Sequence, residues 1–254
     1  MPGLRSPLRL APPDVLAPPA SATMHALLLL ADGRFPAGGH AHSAGVEAAV
    51  GDGRITDIAS LTAFTEGRLR TVGLVDVAFA MATAVHLGPC RPNGMAEQAL
   101  RVLTILDDEV DARTPAPPLR VASRRLGRQL LRVGSRCWPS ALLALAADAA
   151  HDPHQSVAFG LVGLAAGLDV EAIGHLVAHH VVTTPMQAGV RLLGLDPFGA
   201  AAATAALAGA AAAVVTAAAA HAVGPIEALP ARSATLVDLA AMAHAAAAGR
   251  LFAT

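Results

Sequence analysis

The chain has no lysine and no tyrosine; every one of its 18 basic residues is arginine. Without lysine there is no Walker A phosphate loop, no Schiff-base lysine, no kinase-type strand lysine and no carbamylated lysine bridging metals, since each needs a primary amine at its centre. If the protein takes part in a nucleotide-dependent process, another chain holds the nucleotide. Aromatic residues are scarce, at six phenylalanines and one tryptophan, and the formal net charge is −1. Few rings are available to stack on bases and no overall charge attracts a phosphate backbone, so nucleic acid is not an expected partner. Cys90 and Cys137 are the only cysteines. They cannot build a disulfide framework and lack C-x-x-C spacing, which fits a reducing cytoplasm. Charged residues are only 15% of the chain.

Alanine and leucine take the place of what is missing. Hydrophobic residues make up 54% of the chain and mean hydropathy is +0.52, so a thinly charged surface is expected to need partners. No alternating β-branched run exceeds a few residues, and the reading is all-α. A single domain of roughly eight to ten packed helices is expected over residues 24–254. Residues 1–23 carry six prolines, which interrupt every apolar run; they read as a disordered tail rather than a signal peptide. Helices are expected over 44–50, over 57–87 as one or as two joined near Gly73, and over 96–110, 119–137, 157–167, 170–193 and 235–248, with Pro185 set to kink the sixth of these. Residues 199–220 form an uncharged run long enough to span a membrane. The run is mostly alanine, without an aromatic belt or basic flank, so the expectation is a buried, closely packed helix and no membrane partner.

Four features could carry function. The first is the block from Leu27 to Glu47, where a leucine run passes Pro36, Gly38 and Gly39 and then presents His40, His42 and Ser43 before a helix opens. Ser43 is expected to cap that helix by reaching a backbone N–H near Val46 or Glu47. The second is a stripe of Arg120, Arg124, Arg128, Arg132 and Arg136 at four-residue intervals, suited to docking an acidic protein because guanidinium pairs with carboxylate bidentately. The third is histidine: His40 with His42, and His175 with His179 and His180, could contact a metal, though no third ligand is visible for a tight site. The fourth is Ala41-His42-Ser43-Ala44-Gly45, which imitates a nucleophile elbow, with Asp196 or Asp238 and then His244 in hydrolase order. That motif needs a preceding strand, and a leucine helix stands there instead. A Ser43 hydrolase and a histidine metal carrier therefore stay as alternatives to a protein-binding role.

Several blocks together resemble the UreF family of urease accessory proteins. The leucine segment leads through the Pro/Gly turn to Ser43-Ala44-Gly45-Val46-Glu47; Arg120-Val121-Ala122-Ser123 continues through Arg124 and Arg125 to Leu126-Gly127; His154-Gln155-Ser156-Val157-Ala158-Phe159-Gly160, Ala188-Gly189-Val190-Arg191-Leu192 and a C-terminal set of Asp238, His244 and Arg250 follow in order. The arrangement Gly39-His40-Ala41-His42-Ser43 is similar to an actinobacterial-like branch. Departures from the family pattern are Pro118, Asp196-Pro197 and Ala245, where an acidic residue, Gln-x-Gly and Glu are usual. The resemblance implies an all-α, non-catalytic, cytoplasmic chaperone with no cofactor of its own, nickel and GTP entering only through partners. Those partners would be UreD (UreH), the GTPase UreG, whose activity it would modulate, and apo-urease, with a homodimer common. Contact residues are expected at Gly38, Gly39, His40, His42, Ser43, Gly45 and Glu47, at Arg120, Ser123, Arg124, Gly127 and Arg128, at Arg191, and at Asp238, His244 and Arg250. Gly39 and Gly127 would allow close backbone approach, Arg120 and Arg191 would make charge-assisted contacts, and the tail would order on binding.

Overall fold

The structure, a computed structural model, describes residues 20–39, 42–90, 96–149 and 152–246, with backbone alone for residues 20, 90 and 244–246. Among these residues the elements are helical, with no strand. Expectations for residues 1–19, His40 and Arg250 fall outside them.

The organising element is α4 (Leu74–Leu87), in which eleven of fourteen residues are buried. Its sequence is apolar all round, as a helix enclosed by others must be. Burying large side chains such as Phe79, Met81 and Leu87 contributes about 1.5–3 kcal/mol each. Helix α3 (Ile58–Arg68) runs into α4 through a π turn, Leu69–Gly73, so 58–87 is continuous, as one of the two expected arrangements had it. A capping box starts it: Asp57 accepts from the Ser60 N–H at 2.7 Å and Ser60 Oγ accepts from the Asp57 N–H at 3.1 Å.

Around α4 pack α8 (Gln155–Ala165), α9 (Val170–Leu193), α11 (Ala208–Ala222) and α5 (Ala96–Ala112), with α6 (Pro117–Cys137) outside α8. Gly160 permits the α8 contact, because a Cβ there would stand 2.6 Å from the Ala80 carbonyl oxygen. Helix α1 (Ala20–Ala31) lies on α9, and α2 (Val46–Gly51) closes a smaller core of Val46, Ala49, Ile55, Leu61, Met186 and Ala188. Helix α7 (Ala141–Ala147) was not expected; Ser140, accepting from the Leu143 N–H at 3.2 Å, is the cap that signals it. Helix α12 (Thr235–Ala246) rests on α6 and α2.

The alanine run departs from expectation. It divides at Leu207 into α10 (Pro197–Ala206) and α11, bent by 41°, and in α10 only Ala200 is buried. Leu207, the one large aliphatic side chain in the first half, turns into the core at 5% exposure. Alanine offers too little area to bury both halves. Among the described residues one unbroken helix, 58–87, is long and apolar enough to cross a membrane, and 67% of its apolar 18-residue window is buried inside the protein; α10 and α11 reach that length only when taken together across their bend.

Candidate functional site

After α1 the chain folds back over the bundle. Gly38, Ala44 and Gly45 all take positive φ, at 83°, 55° and 90°. Gly38 lies against Gln129 of α6, and a Cβ on Gly45 would meet Val237 of α12 at 3.2 Å, so the loop is threaded between those two helices where side chains would not fit. The expected Ser43 cap is not formed. Gly45 is the N-cap of α2 and makes no side-chain bond; the Val46 N–H is bonded to the Ser43 carbonyl at 3.1 Å instead. Two successive positive-φ residues carry the Ser43 side chain away from the helix end and into the interior, where the residue is buried.

Beneath this loop is a cavity of about 210 Å³. It gathers expected site residues from three separate blocks of sequence: Gly39, His42, Ser43 and Gly45 from the loop, Ser123 from α6 and Asp238 from α12. Burial pushes the Asp238 carboxyl up. Two further lining residues, Arg68 and Asp76, were not anticipated, because in sequence Arg68 is one of three charges between Glu66 and Arg70 and Asp76 is isolated in an apolar run. Desolvation raises Asp76 to about 6, against the opposing pull of Arg68.

The motif helices meet on the other side of Ser123. The Gln155 N–H donates to Ser123 Oγ at 3.1 Å, and one turn later Gly127 lies so close to Pro153 that a Cβ would strike its carbonyl oxygen. Arg124 reaches inward. It is paired with Asp107, donates to Asp111 at 2.6 Å and to the Asp152 carbonyl at 2.7 Å. Asp107 also accepts from the His154 N–H at 2.7 Å, while His154 Nε2 is 2.9 Å from Asp111. Burial drives His154 toward the neutral form, so Nε2–H is the donor. Burial pushes Asp111 up, but the bonds from Arg124 and His154 outweigh it and hold the carboxyl low. Asp107 and Asp111, one turn apart on α5, were missed; their spacing, with a large apolar residue on the N-terminal side of each, was the available signal.

The arginine stripe is thus not one surface. Arg120 donates to the Thr114 carbonyl at 2.7 Å, Arg124 is enclosed, Arg128 pairs with Asp152 at 2.9 Å, and Arg132 and Arg136 are exposed. Four residues turn an α-helix roughly 40° beyond a full revolution, so five arginines sweep from the joint to solvent. Arg191 lies in the last turn of α9 beside a smaller pocket, and Glu47 in the first turn of α2. Of His244 the backbone lies in α12. His180 Nε2 donates to the Leu30 carbonyl at 2.8 Å and its ring stacks on Phe159 at 5.1 Å, while His179 meets the backbone of Ala31. Those two histidines close the C-terminus of α1, whose carbonyls lack helical partners. No group of three or more His, Cys, Asp or Glu side chains that could hold a metal is found among the described residues.

Among the described residues the chain is an all-helical bundle whose loop, motif helix and last helix converge on one cavity, with no strand to carry the elbow of a hydrolase. Comparison with known proteins narrows the class. The sequence model of the family described as UreF matches residues 55–208. The urease accessory protein UreF of Mycolicibacterium vanbaalenii is 41% identical over 184 residues, covering 72% of this chain and 79% of the relative. The protein of that name from Mycobacterium marinum is 42% identical over 183 residues, with the same coverage, and that of Mycobacterium tuberculosis strain H37Rv is 39% identical over 171 residues, covering 67% and 74%. The chain belongs to the UreF family of urease accessory proteins, and these relatives are mycobacterial, in line with the actinobacterial-like loop.

Proposed function

We propose that the protein is a non-catalytic, cytoplasmic adaptor in urease maturation, which assembles with UreD (UreH) and the GTPase UreG to help present apo-urease for nickel insertion, and which modulates the GTPase. The observation that carries this reading is family membership over most of the chain, with relatives named as urease accessory proteins. Support comes from surface chemistry. Leu236, Leu239 and Met242 of α12 are all at least half exposed, at three-residue spacing, and form an apolar strip on a helix whose other side rests on α6 and α2. Such a strip suits a protein partner. Arg132 and Arg136 add exposed basic groups on α6 beyond Arg128, and the loop residues Gly39 and His42, Glu47 of α2, Asp238 and Arg191 complete the proposed contact set. Nickel and GTP belong to the partners and the protein holds no cofactor of its own; two copies would form the working unit.

The test is co-purification of the tagged chain with UreD, UreG and apo-urease from its host, followed by mass determination by light scattering. A defined complex containing UreD and UreG is expected, and Leu239→Glu should remove UreD while leaving the helical content intact. A chain that stays alone in the presence of all three would overturn the adaptor reading.

A further inference from the structure

The cavity is lined by a guanidinium, Arg68, that makes no hydrogen bond among the described residues, although a carboxylate, Asp76, faces the same space. Arg68 closes α3 and Asp76 lies in the first turn of α4. Eight steps along an uninterrupted α-helix leave two side chains roughly 80° apart around the axis. The π turn at Leu69–Gly73 takes more residues per revolution and rotates Asp76 back toward Arg68, so both line the same space. Even so they do not pair. Arg68 Nε and Nη1 are closed to water and have no hydrogen-bond partner among the described residues, a state that disfavours a charged group in a protein interior. A burden of that kind persists where something else completes the site.

We propose that Arg68 anchors a binding site for a small monocarboxylate with a short apolar tail. The head is met by Arg68 Nη2, the guanidinium nitrogen not closed to water, and a turn of the planar fork onto the carboxylate brings a second donor to it. The single charge follows from the other cations in the wall. Arg113 already donates to the carbonyls of Glu227, Leu229 and Pro230 and pairs with Glu109, and Arg232 donates to the Arg70 carbonyl at 3.3 Å. Arg232 is exposed to solvent, which leaves Arg68 as the more enclosed cation of the wall without a hydrogen bond among the described residues. The tail follows from the walls, where Val72, Val75, Leu126, Phe159, Val177 and Val181 face the space. A cavity of about 150 Å³ can hold benzene, so 210 Å³ accommodates an acid of about six heavy atoms. Asp76, facing the same space, repels such a ligand when ionised and can donate a hydrogen bond to it when protonated. This inference stands apart from the adaptor reading and can fail without it.

The experiment uses the full chain and butyrate, with inorganic phosphate as the comparison anion at matched ionic strength, read by calorimetry and by the thermal unfolding midpoint. Butyrate should bind saturably and raise the midpoint, phosphate should not, and Asp76→Asn should tighten butyrate by about tenfold. Arg68→Met in the Asp76→Asn background should abolish binding yet unfold no lower than Asp76→Asn without ligand, since the guanidinium has no hydrogen bond to lose and no carboxylate is left opposite it. The proposal is overturned if the parent shows no saturable butyrate binding, if phosphate binds as tightly, or if the double variant retains butyrate or unfolds well below Asp76→Asn.

Discussion

Two charged interiors lie on either side of Ser123 and are built on opposite rules. At the joint between α5, α6 and α8, the Arg124 guanidinium has two carboxylates and a carbonyl, Asp107 has two donors, and the His154 backbone is tied in. In the cavity, Arg68 and Asp76 face one space with no hydrogen bond between them. Both arrangements place charge away from water, so burial alone does not distinguish structure from function. Satisfaction of the charged groups does: at the joint only the neutral His154 Nδ1 lacks a hydrogen-bond partner among the described residues, whereas in the cavity the Arg68 guanidinium itself lacks one.

That contrast can be broken at the joint first. Gly127→Ala should destabilise the protein by about 3 kcal/mol, because the obstacle is the Pro153 carbonyl, which belongs to the backbone and cannot rotate away. Denaturant unfolding measures it, and a loss under about 1 kcal/mol would mean that the helices can part more easily than the contact implies. Arg124→Met should cost about 2–3 kcal/mol, reduced from the fully buried case by the arginine's 23% exposure. In the Asp76→Asn background, where no carboxylate is left opposite it, Arg68→Met costs nothing if the contrast holds, and a loss equal to that at Arg124 would erase the distinction.

The cavity should respond in the other direction. With its carboxyl raised to about 6, Asp76 holds a proton in the folded state that the unfolded chain releases near pH 3.8. The unfolded state therefore binds fewer protons between about pH 4 and 6, and this group's contribution falls as pH rises through that window. Asp76→Asn should gain up to about 3 kcal/mol at pH 7.5 and close to nothing at pH 4. His154 acts oppositely: its folded value is depressed by burial, so its contribution is present above the unfolded value of 6.5 and declines as pH drops below it. Unfolding midpoints of the parent and of Asp76→Asn across pH 4–8 separate the two slopes.

Smaller effects refine the comparison. Ser123→Ala removes the acceptor for the Gln155 N–H at the start of α8 and should cost about 1 kcal/mol. Ala44→Gly should gain up to about 1 kcal/mol, since alanine at φ 55° is strained and glycine is not. A loss at that position would show that the alanine methyl contributes packing at the cavity mouth.

Most helix positions were legible because their local signals agree: the capping box at Asp57 and Ser60, Pro117 near the start of α6, and Gly194 in the left-handed conformation after α9. The alanine run was misjudged because apolar length says nothing about how much area an alanine helix buries. Of the residues that line the cavity, the sequence had singled out those of the loop, Ser123 and Asp238 as contact residues but neither Arg68 nor Asp76, whose spacing of eight leaves them about 80° apart until the π turn is known.

By itself, the sequence determined an all-helical chain, the absence of any lysine-dependent chemistry, and the ordered blocks that mark its family, since composition, periodicity and spacing are local properties. Only the tertiary structure decided which charges face each other. A four-residue arginine repeat drifts around its helix by roughly 40° per step, and whether each side chain meets a carboxylate, a carbonyl or water depends on the neighbours that α5 and α8 bring to that angle. The same holds for Arg68: its unpaired state depends on the relative placement of α3, α4, α6, α9 and α12, and no stretch of the chain encodes that alone.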